Sequence, residues 1–331
     1  MSWRAFVVSR HDDGIATAVQ TLEDDQLPPG EVLVDVEWSA VNYKDAMVTV
    51  PGNRVARISP LVPGVDLAGT VVHSDDPSIA QGAPVLVHGY DLGVARHGGF
   101  AQRARVPADW VVPLPEGLTP RRAAAIGTAG FTAALSVEKL RQSGVVPGAG
   151  PVLVTGASGG VGSMAVAALA AQGYEVVAST GKSKEHDYLL GLGAASVVGR
   201  DAVAAGTGRP LERERWAGAV DCVGGVTLAG VLSSLCYGGS VAASGLTAGS
   251  ELSTTVYPFI IRGVNLLGVD SVNVPIAKRR ETWSTMREAL PDDAVDAMIA
   301  TEVGLDALAG VLADVLGARV RGRVLIRPDL H

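Results

Sequence analysis

A short apolar run that ends in a cluster of glycines constrains the fold of this chain more than any other feature. The run Val152 to Thr155 has the aliphatic and β-branched character of a buried strand, and it leads directly into the glycine-rich segment Gly156 to Gly162. Beyond the turn, apolar residues recur at helical spacing, at Val161, Met164, Ala165, Ala168 and Leu169. A strand, a tight turn and a helix in this order predict the first unit of a parallel α/β sheet.

The glycine turn also indicates what such a unit binds. Residues without bulky side chains let the backbone approach a pyrophosphate, and the start of the next helix supplies unpaired N–H groups and a favourable dipole. Ala157 replaces the first glycine of the usual G-x-G-x-x-G spacing, and a purely structural turn in another α/β fold is the alternative. With a strand before it and a helix after it, the turn favours dinucleotide binding.

The pattern of the chain changes near Gly127. Before this residue, short apolar runs are separated by Pro/Gly turns, which is typical of a β-rich domain. After it, strands alternate with helical segments, and six strands are predicted, at 152–155, 175–179, 196–198, 219–223, 240–244 and 265–269. A charged helical stretch from Lys278 to Leu290, a last helix and a strand from Arg323 to Ile326 follow. The predicted fold class is α/β, with a doubly wound six-stranded parallel Rossmann domain at 127–271 and a β-rich domain from 1–126 and 272–331.

Composition excludes several classes of partner. Hydrophobic residues make up 47% of the 331 residues, which is enough for two cores, and the net charge of −7 without a Lys/Arg tract argues against nucleic acid. The uncharged stretch from Gln142 to Tyr174 is broken by Pro147 and Pro151, so no membrane span is expected there. The first residues lack the apolar stretch of a secretory signal, and two cysteines favour a reducing compartment, so we expect a cytoplasmic protein.

The end of the second predicted strand bears on the choice of nicotinamide cofactor. A site for NAD usually carries an acidic residue there, which accepts from the ribose 2′-hydroxyl. In this chain the strand ends in Ser179, Thr180, Gly181 and Lys182, which offer hydroxyls and a positive charge. A solvated loop lysine is the alternative for Lys182. Hydroxyls and a cation suit a 2′-phosphate, so the sequence favours NADP(H) as the cofactor.

Metal-ligand spacing is missing from the first part of the sequence. The first cysteine is Cys222, and His11, His73, His88 and His97 are scattered without a ligand pattern. We therefore expect no metal site, and a reaction that needs no Lewis acid. Hydride transfer to a C=C bond conjugated with a carbonyl is such a reaction, because the carbonyl already stabilises the developing enolate.

Five sequence blocks in order carry a resemblance to a known family. They are Asn42 to Ala46, Pro63 to Gly69, Gly127 to Ala133, Thr155 to Gly162 and Gly268 to Val272. The set resembles the quinone-oxidoreductase-like branch of the medium-chain dehydrogenases/reductases, and more narrowly the acryloyl-CoA reductase (NADPH) group, over essentially the whole chain. The resemblance implies a GroES-like substrate domain beside the Rossmann domain. It also implies a homodimer in which the last Rossmann strand, around Val264 to Val269, pairs with its twin.

The same resemblance implies a set of cofactor-site residues. Tyr43 would lie beside the nicotinamide, Ser158, Gly159, Gly160 and Val161 at the pyrophosphate, and Thr180, Gly181 and Lys182 at the 2′-phosphate. Thr132 begins the helix that faces the nicotinamide, and the rest of the site would be lined by Arg200, Leu246, Ile260, Ser271 and Arg323. An arginine is also common at the position of Lys182, and lysine keeps the charge but loses the planar fork. The segment that carries His and Glu in zinc-dependent relatives has Val65 and Asp66 here.

Tyr43 is the candidate catalytic residue, with two roles left open. Its hydroxyl polarises the substrate carbonyl or relays a proton, or else the ring only packs against the nicotinamide. Asp45 and Asp66 are expected to cap turns or pair with a nearby base, and Asp221 to support a loop at a strand end. Cys222 and Cys236 are expected to be small core side chains. Candidate cations for the phosphates of CoA lie in loops of the first domain, at Arg54, Arg57, Arg121 and Arg122.

Three functions follow as hypotheses. The first is NADPH-dependent reduction of a short 2-enoyl-CoA, acryloyl-CoA giving propanoyl-CoA. The second is reduction of a quinone or an α,β-unsaturated ketone by NADPH. The third is a non-catalytic NADPH-binding protein, because a fold alone does not establish an activity.

Overall fold

The computed structural model describes residues 1–204 and 209–330, and the chain divides into two compact units. Unit 1 consists of Met1–Thr128, Val272–Ser284 and Ile299–His331, and unit 2 of Ala129–Ser271 and Thr285–Met298. The division differs from the predicted segment 272–331 in that Thr285–Met298 clusters with unit 2. The assignment of the units to substrate and cofactor stays a prediction.

Unit 1 is β-rich, as its short apolar runs and Pro/Gly turns predict, and its strands pair antiparallel except for residues 299–303 with 323–326, which pair in parallel. They are β1 (Ser2–His11), β2 (Gly14–Glu23), β3 (Val32–Ala40), β4 (Asp66–Ser74), β5 (Pro84–His88), β6 (Arg103–Val106), β7 (Val112–Pro113), β14 (Ile299–Val303) and β15 (Arg323–Ile326). β1 and β2 form a hairpin, and the main sheet has the order β14-β15-β3-β4-β5-β7, with β6 also pairing with β3. β15 pairs antiparallel with β3, so residues 323–326 extend a sheet that begins at residues 32–40.

Three helices that lie wholly within unit 1 are short. They are α1 (Tyr43–Met47), α7 (Ile276–Ser284) and α10 (Leu308–Leu316). Leu308 and Leu312, one turn apart on α10, belong to a buried cluster with Phe6, Leu61 and Phe100. Helix α1 packs against α10, which gives a five-residue helix the tertiary support that its length alone could not supply.

Unit 2 has the doubly wound sheet that the sequence predicts. Its six strands are all parallel: β8 (Val152–Val154), β9 (Val176–Thr180), β10 (Ser196–Gly199), β11 (Trp216–Asp221), β12 (Leu235–Ala243) and β13 (Asn265–Gly268). Their order is β10-β9-β8-β11-β12-β13, so the strand order reverses between β8 and β11. Ligands of such sheets bind outside the carboxyl ends of the strands at this reversal.

The helices between these strands are α3 (Gly160–Ala171), α4 (His186–Gly191), α5 (Gly225–Ser234) and α6 (Tyr257–Arg262). Helix α2 (Pro120–Gln142), which begins in unit 1, precedes β8, and α8 (Met286–Ala289) and α9 (Asp292–Met298) follow β13. Helix α2 is broken at Gly127, whose φ of 48° and ψ of −154° are not helical. The predicted α/β class and six-stranded Rossmann sheet are thus confirmed.

The structure differs from the predicted elements in three places. β12 begins at Leu235 rather than 240, because its pairing with β11 steps from Trp216–Leu235 to Gly218–Ser240 and leaves an exposed, irregular stretch between them. The helical stretch predicted over 278–290 is two helices, α7 and α8, which belong to different units. Strand β14 was missed, since three of its five residues are exposed and give no apolar run.

Candidate active site

The glycine loop of unit 2 is shaped by close contacts between backbone atoms. Gly156 has a φ of 58°, which favours glycine, and Gly159 N–H donates to the Gly156 carbonyl at 3.0 Å. A Cβ added at Gly162 would overlap the Gly156 carbonyl oxygen and lie 2.7 Å from the Cα of Ala157. The loop therefore requires glycine at Gly162, and Gly159 caps α3 at the reversal point of the sheet, where anions bind to helix N-termini.

Two hydroxyls link the glycine loop to the end of β9. Ser158 Oγ and Thr180 Oγ1 lie 3.0 Å apart, and Lys182 N–H donates to Thr180 Oγ1 at 3.1 Å. Both hydroxyl residues are buried. The pKa of Lys182 is lowered by burial, an effect that the nearby Glu185 carboxylate opposes. The predicted pyrophosphate and 2′-phosphate residues thus form one connected group.

Arg200 belongs to the same end of the sheet. A Cβ added at Gly181 would lie 2.8 Å from Nε of Arg200 and 2.9 Å from its Cζ, so the guanidinium packs directly on the Gly181 backbone. Any side chain at Gly181 would displace Arg200. The guanidinium of Arg200 therefore lies against the residue that directly precedes Lys182.

The remaining predicted residues of unit 2 fall into two groups. Thr132 Oγ1 donates to Ser271 Oγ at 2.8 Å, so these two come together although 139 positions separate them. A cavity of about 510 Å³ lies at the carboxyl ends of β12 and β13 and is lined by residues 243–245 and 268–270. Ser271 is the next residue in the sequence after this lining. Leu246 and Ile260 are instead exposed, 51% and 70%, and project to solvent.

A buried carboxylate braces the loops around the reversal point, as expected for Asp221. It accepts from Thr155 Oγ1 at 2.7 Å and from Gly224 N–H at 2.8 Å, and Thr155 Oγ1 accepts in turn from Cys222 N–H. Burial raises the pKa of the Asp221 carboxyl and that of the Cys222 thiol. A thiol that resists deprotonation is a poor nucleophile, which agrees with a structural role for Cys222.

In unit 1, Tyr43 is the first residue of α1 and 38% of it is exposed. Asn42 precedes it as the N-cap and forms a capping box with Asp45, whose Oδ2 accepts from Asn42 N–H at 2.8 Å. Asp45 Oδ1 also accepts from the N–H groups of Gly64 and Val65. Burial and the neighbouring Asp66 carboxylate raise the pKa of Asp45 to about 7, although these backbone donors oppose the rise.

Asp66 and Arg323 form a buried ion pair beside Asn42. Each is at most 2% exposed, and Arg323 Nη2 lies 3.2 Å from Asp66 Oδ2. Asp66 also accepts from the backbone and hydroxyl of Thr128, and Arg323 donates to the Ala125 carbonyl at 2.9 Å. Asp66 therefore pairs with a base, as expected. Arg323 is committed to the interior of unit 1, so its contact with a cofactor stays a prediction that its burial disfavours.

Sequence reasoning missed the part that Asn42 and Gly127 play around this pair. The spacing of Asn42 and Asp45 is that of a capping box and could have indicated a helix start. No local pattern indicates that a Cβ at Gly127 would lie 2.5 Å from Asp66 Oδ2 and 2.9 Å from Arg323 Nη2. This contact depends on residues far apart in the sequence.

Three of the four arginines considered for CoA phosphates differ in their surroundings. Arg57 lies 3.0 Å from Asp91, and Arg121 lies 2.6 Å from Glu302, both on the surface of unit 1. Arg54 is exposed in the loop that follows α1. These ion pairs favour the surface role for Arg57 and Arg121, and leave Arg54 as the better candidate among these three.

The side chains and helices also bear on metal binding and on membrane insertion. Over residues 1–204 and 209–330, no group of three or more His, Cys, Asp or Glu side chains is arranged to hold a metal ion. In that same part of the chain, no helix combines the length and apolar character that crossing a membrane requires.

Comparison with known proteins covers both units. The model of the alcohol dehydrogenase GroES-like domain matches residues 28–116, and that of the zinc-binding dehydrogenase domain matches residues 160–291. Acrylyl-CoA reductase AcuI of Ruegeria pomeroyi is 51% identical over 98% of both chains. The putative quinone oxidoreductase YhfP of Bacillus subtilis is 47% identical over 98% of both chains.

Two solved structures are equally similar along their length. The YhdH oxidoreductase of Salmonella enterica, in complex with NADP, has a TM-score of 0.94 at 47% identity and covers 99% of both chains. YhfP of Bacillus subtilis with NAD bound has a TM-score of 0.95 and covers 99% of both chains. The GroES-like and Rossmann prediction is confirmed, and the chain belongs to the quinone-oxidoreductase-like branch of the medium-chain dehydrogenase/reductase family.

Proposed function

We propose that the chain is an NADPH-dependent reductase of activated C=C bonds, with acryloyl-CoA as substrate and propanoyl-CoA as product. The observation that carries the proposal is the group Ser158, Thr180 and Lys182 with Arg200 packed on Gly181, at the carboxyl ends of β8, β9 and β10 in a doubly wound sheet. Such a group suits a phosphorylated nicotinamide cofactor. The 51% identity to an acrylyl-CoA reductase supports the substrate.

The residues of unit 2 have the chemistry that a phosphorylated nicotinamide cofactor needs. Gly162 lets the loop backbone fold tightly at the start of α3, where helix N–H groups favour a pyrophosphate, and Ser158 and Thr180 offer hydroxyls close to the loop. Lys182 and Arg200 supply the positive charge for a 2′-phosphate. NADPH supplies a hydride to the substrate when bound. One relative was solved with NADP and another with NAD. This agrees with a preference for NADPH that is less strict in this chain, which has lysine at position 182, than it would be with arginine there.

The proposed reaction is balanced without a metal. The β-carbon of the enoyl thioester receives the hydride, the C=C electrons move toward the thioester carbonyl, and the α-carbon takes one proton from a donor. Acryloyl-CoA, NADPH and a proton thus give propanoyl-CoA and NADP⁺. The thioester itself stabilises the developing enolate, so the protein needs to orient the substrate, polarise its carbonyl and supply the proton.

Tyr43 is the side chain that we assign to this chemistry. Its phenol is partly exposed at the first position of α1, so it is accessible to a ligand. In one role the hydroxyl hydrogen-bonds the thioester oxygen or relays the proton, and in the other the ring packs on the nicotinamide. Tyr43→Phe separates them, since turnover falls about ten-fold or more only where the hydroxyl takes part.

We propose that unit 1 binds the substrate, that unit 2 binds the cofactor, and that the enzyme is a cytoplasmic homodimer. Support for the dimer comes from β13, an edge strand of the six-stranded sheet beside exposed apolar side chains on α6, among them Ile260 and Ile261. An unpaired strand edge next to apolar surface favours pairing with a second copy. Both cysteines are free, which suits a reducing compartment.

Quinone reduction is the second candidate, favoured by the 47% identity to a putative quinone oxidoreductase. The test follows NADPH absorbance with purified protein and acryloyl-CoA, beside crotonyl-CoA, free acrylate and a simple quinone. We expect rapid oxidation with acryloyl-CoA and none with free acrylate, because the thioester activates the alkene. Oxidation only with the quinone would assign the second function, and NADPH binding without any turnover would indicate a non-catalytic protein.

A further inference from the structure

The side chain of Asn42 is held at both ends of its amide by buried charges. Its Nδ2 donates to Asp66 Oδ2 at 2.7 Å, and its Oδ1 accepts from Arg323 Nη1 at 3.1 Å. Asp66 and Arg323 are themselves paired and almost fully buried, so neither can move toward solvent without losing its partner. The Asn42 amide is therefore fixed in position and in orientation.

The backbone of Asn42 is fixed as well. Its N–H donates to Asp45 Oδ2, and Arg323 Nη1 donates to the carbonyl of the preceding residue, Val41, at 3.2 Å. Asn42 is the N-cap of α1, and Tyr43 is the next residue. A helix of five residues has little stability of its own, so the direction in which it begins depends on its cap and on packing.

We propose that Asn42 is a positioning residue for Tyr43, a role that rests on the function proposed for Tyr43 above. The Asp66–Arg323 pair holds the Asn42 amide, and Asn42 sets the first turn of α1 and with it the phenol. The pair acts on the reaction only through this chain of contacts. Correct placement of a reacting group within about 1 Å can change a rate by two orders of magnitude, so a loosened cap is expected to reduce turnover.

Asn42→Ala tests the proposal without leaving a buried charge unpaired. Asp66 and Arg323 keep each other, and Asp66 keeps its bonds to Thr128. Asn53→Ala is the matched control, because Asn53 lies in the same unit and its Oδ1 accepts from a nearby backbone N–H, that of Val55, at 2.8 Å. Variants are first compared by thermal melting, so that turnover is measured only on folded protein.

A double-mutant cycle with Tyr43→Ala separates positioning from a general structural effect. We expect Asn42→Ala to lower kcat for acryloyl-CoA about ten-fold in the natural chain and by less than about two-fold where Tyr43 is already alanine. Asn53→Ala is expected to leave kcat unchanged. Equal fold-losses in the two backgrounds, or an unchanged kcat in Asn42→Ala, would overturn the proposal.

A readout independent of activity comes from fluorine NMR. The chain has six tyrosines, so protein labelled with 3-fluorotyrosine gives few resonances, and Tyr43→Phe identifies that of Tyr43. We expect this resonance to shift toward that of a free peptide in Asn42→Ala and to stay in place in Asn53→Ala. A resonance that does not move contradicts positioning whatever the substrate proves to be. Failure of the natural protein to reduce acryloyl-CoA would instead count against the proposed function alone.

Discussion

The loop Gly156 to Gly162 in unit 2 and the segment around Asn42 in unit 1 both hold a short stretch of backbone, but by different means. The loop relies on missing side chains, since backbone atoms of Gly156 and Ala157 fill the space that a Cβ at Gly162 would need. The segment relies on buried charged groups, because Asp66 and Arg323 both hydrogen-bond the side-chain amide of Asn42. An added side chain is therefore expected to destabilise the loop, whereas the loss of a hydrogen-bonding partner is expected to loosen the segment around Asn42.

Gly127 is the position where both means act together, and we expect its substitution to have the largest effect. Gly127→Ala combines a backbone conformation that essentially only glycine adopts with a Cβ 2.5 Å from Asp66 Oδ2. The two effects together should lower the free energy of unfolding by about 3 kcal/mol or more, measured by urea unfolding. Gly52→Ala is the control, since Gly52 has a φ of 76° but open space around it. Equal losses of unfolding free energy in the two variants would mean that Asp66 and Arg323 can shift to make room for the added methyl group.

Gly162→Ala tests the steric arrangement alone. Gly162 is not in the left-handed region, so the added methyl acts through overlap with backbone atoms of Gly156 and Ala157, and we expect the free energy of unfolding to fall by about 2 kcal/mol. The rise in melting temperature that saturating NADPH produces should shrink in parallel, because the same atoms shape the phosphate site. Gly191→Ala, in the same unit with nothing within 4 Å, should be neutral or stabilising by up to about 1 kcal/mol. If Gly162→Ala were as stable as the natural protein, the loop would not depend on missing side chains, and the difference from the segment around Asn42 would not hold.

The pH dependence of stability tests the charged groups around Asn42, and its expected effect is the smallest of the three. The pKa of Asp45 is raised from 3.8 to about 7 by burial, so the folded chain holds a proton that the unfolded chain has lost. This group therefore stabilises the fold at low pH, and its contribution disappears as pH rises through the folded pKa. Between about pH 6 and pH 8, the natural protein should lose about 1 kcal/mol more than Asp45→Asn. Parallel curves for the two proteins would contradict the raised pKa.

The difference between the two regions also explains what the sequence can and cannot predict. The glycine loop lies within consecutive residues, so the strand, turn and helix could be recognised together, and the six-stranded sheet followed from repetition of that pattern. The Asn42 amide, by contrast, meets Arg323 across 281 positions, and Asp66 meets Arg323 across 257. Local patterns carry no information on such pairs. The surroundings of Arg323 were accordingly not predictable: the family resemblance implies a place at the cofactor, and the side chain lies buried beside Asp66.

The pairing of Arg323 with residues near the start of the chain has a consequence for synthesis on the ribosome. Residues 129–271 of unit 2 are contiguous, and the strands of their sheet are all available once Gly268 has been made. Unit 1 lacks the cation for Asp66 and the strand β15 that pairs with β3 until residues 323–326 have been made. The sheet of unit 1 thus begins before that of unit 2 and is completed after it, and a chain that stops short of Arg323 leaves the Asp66 carboxylate without its guanidinium partner.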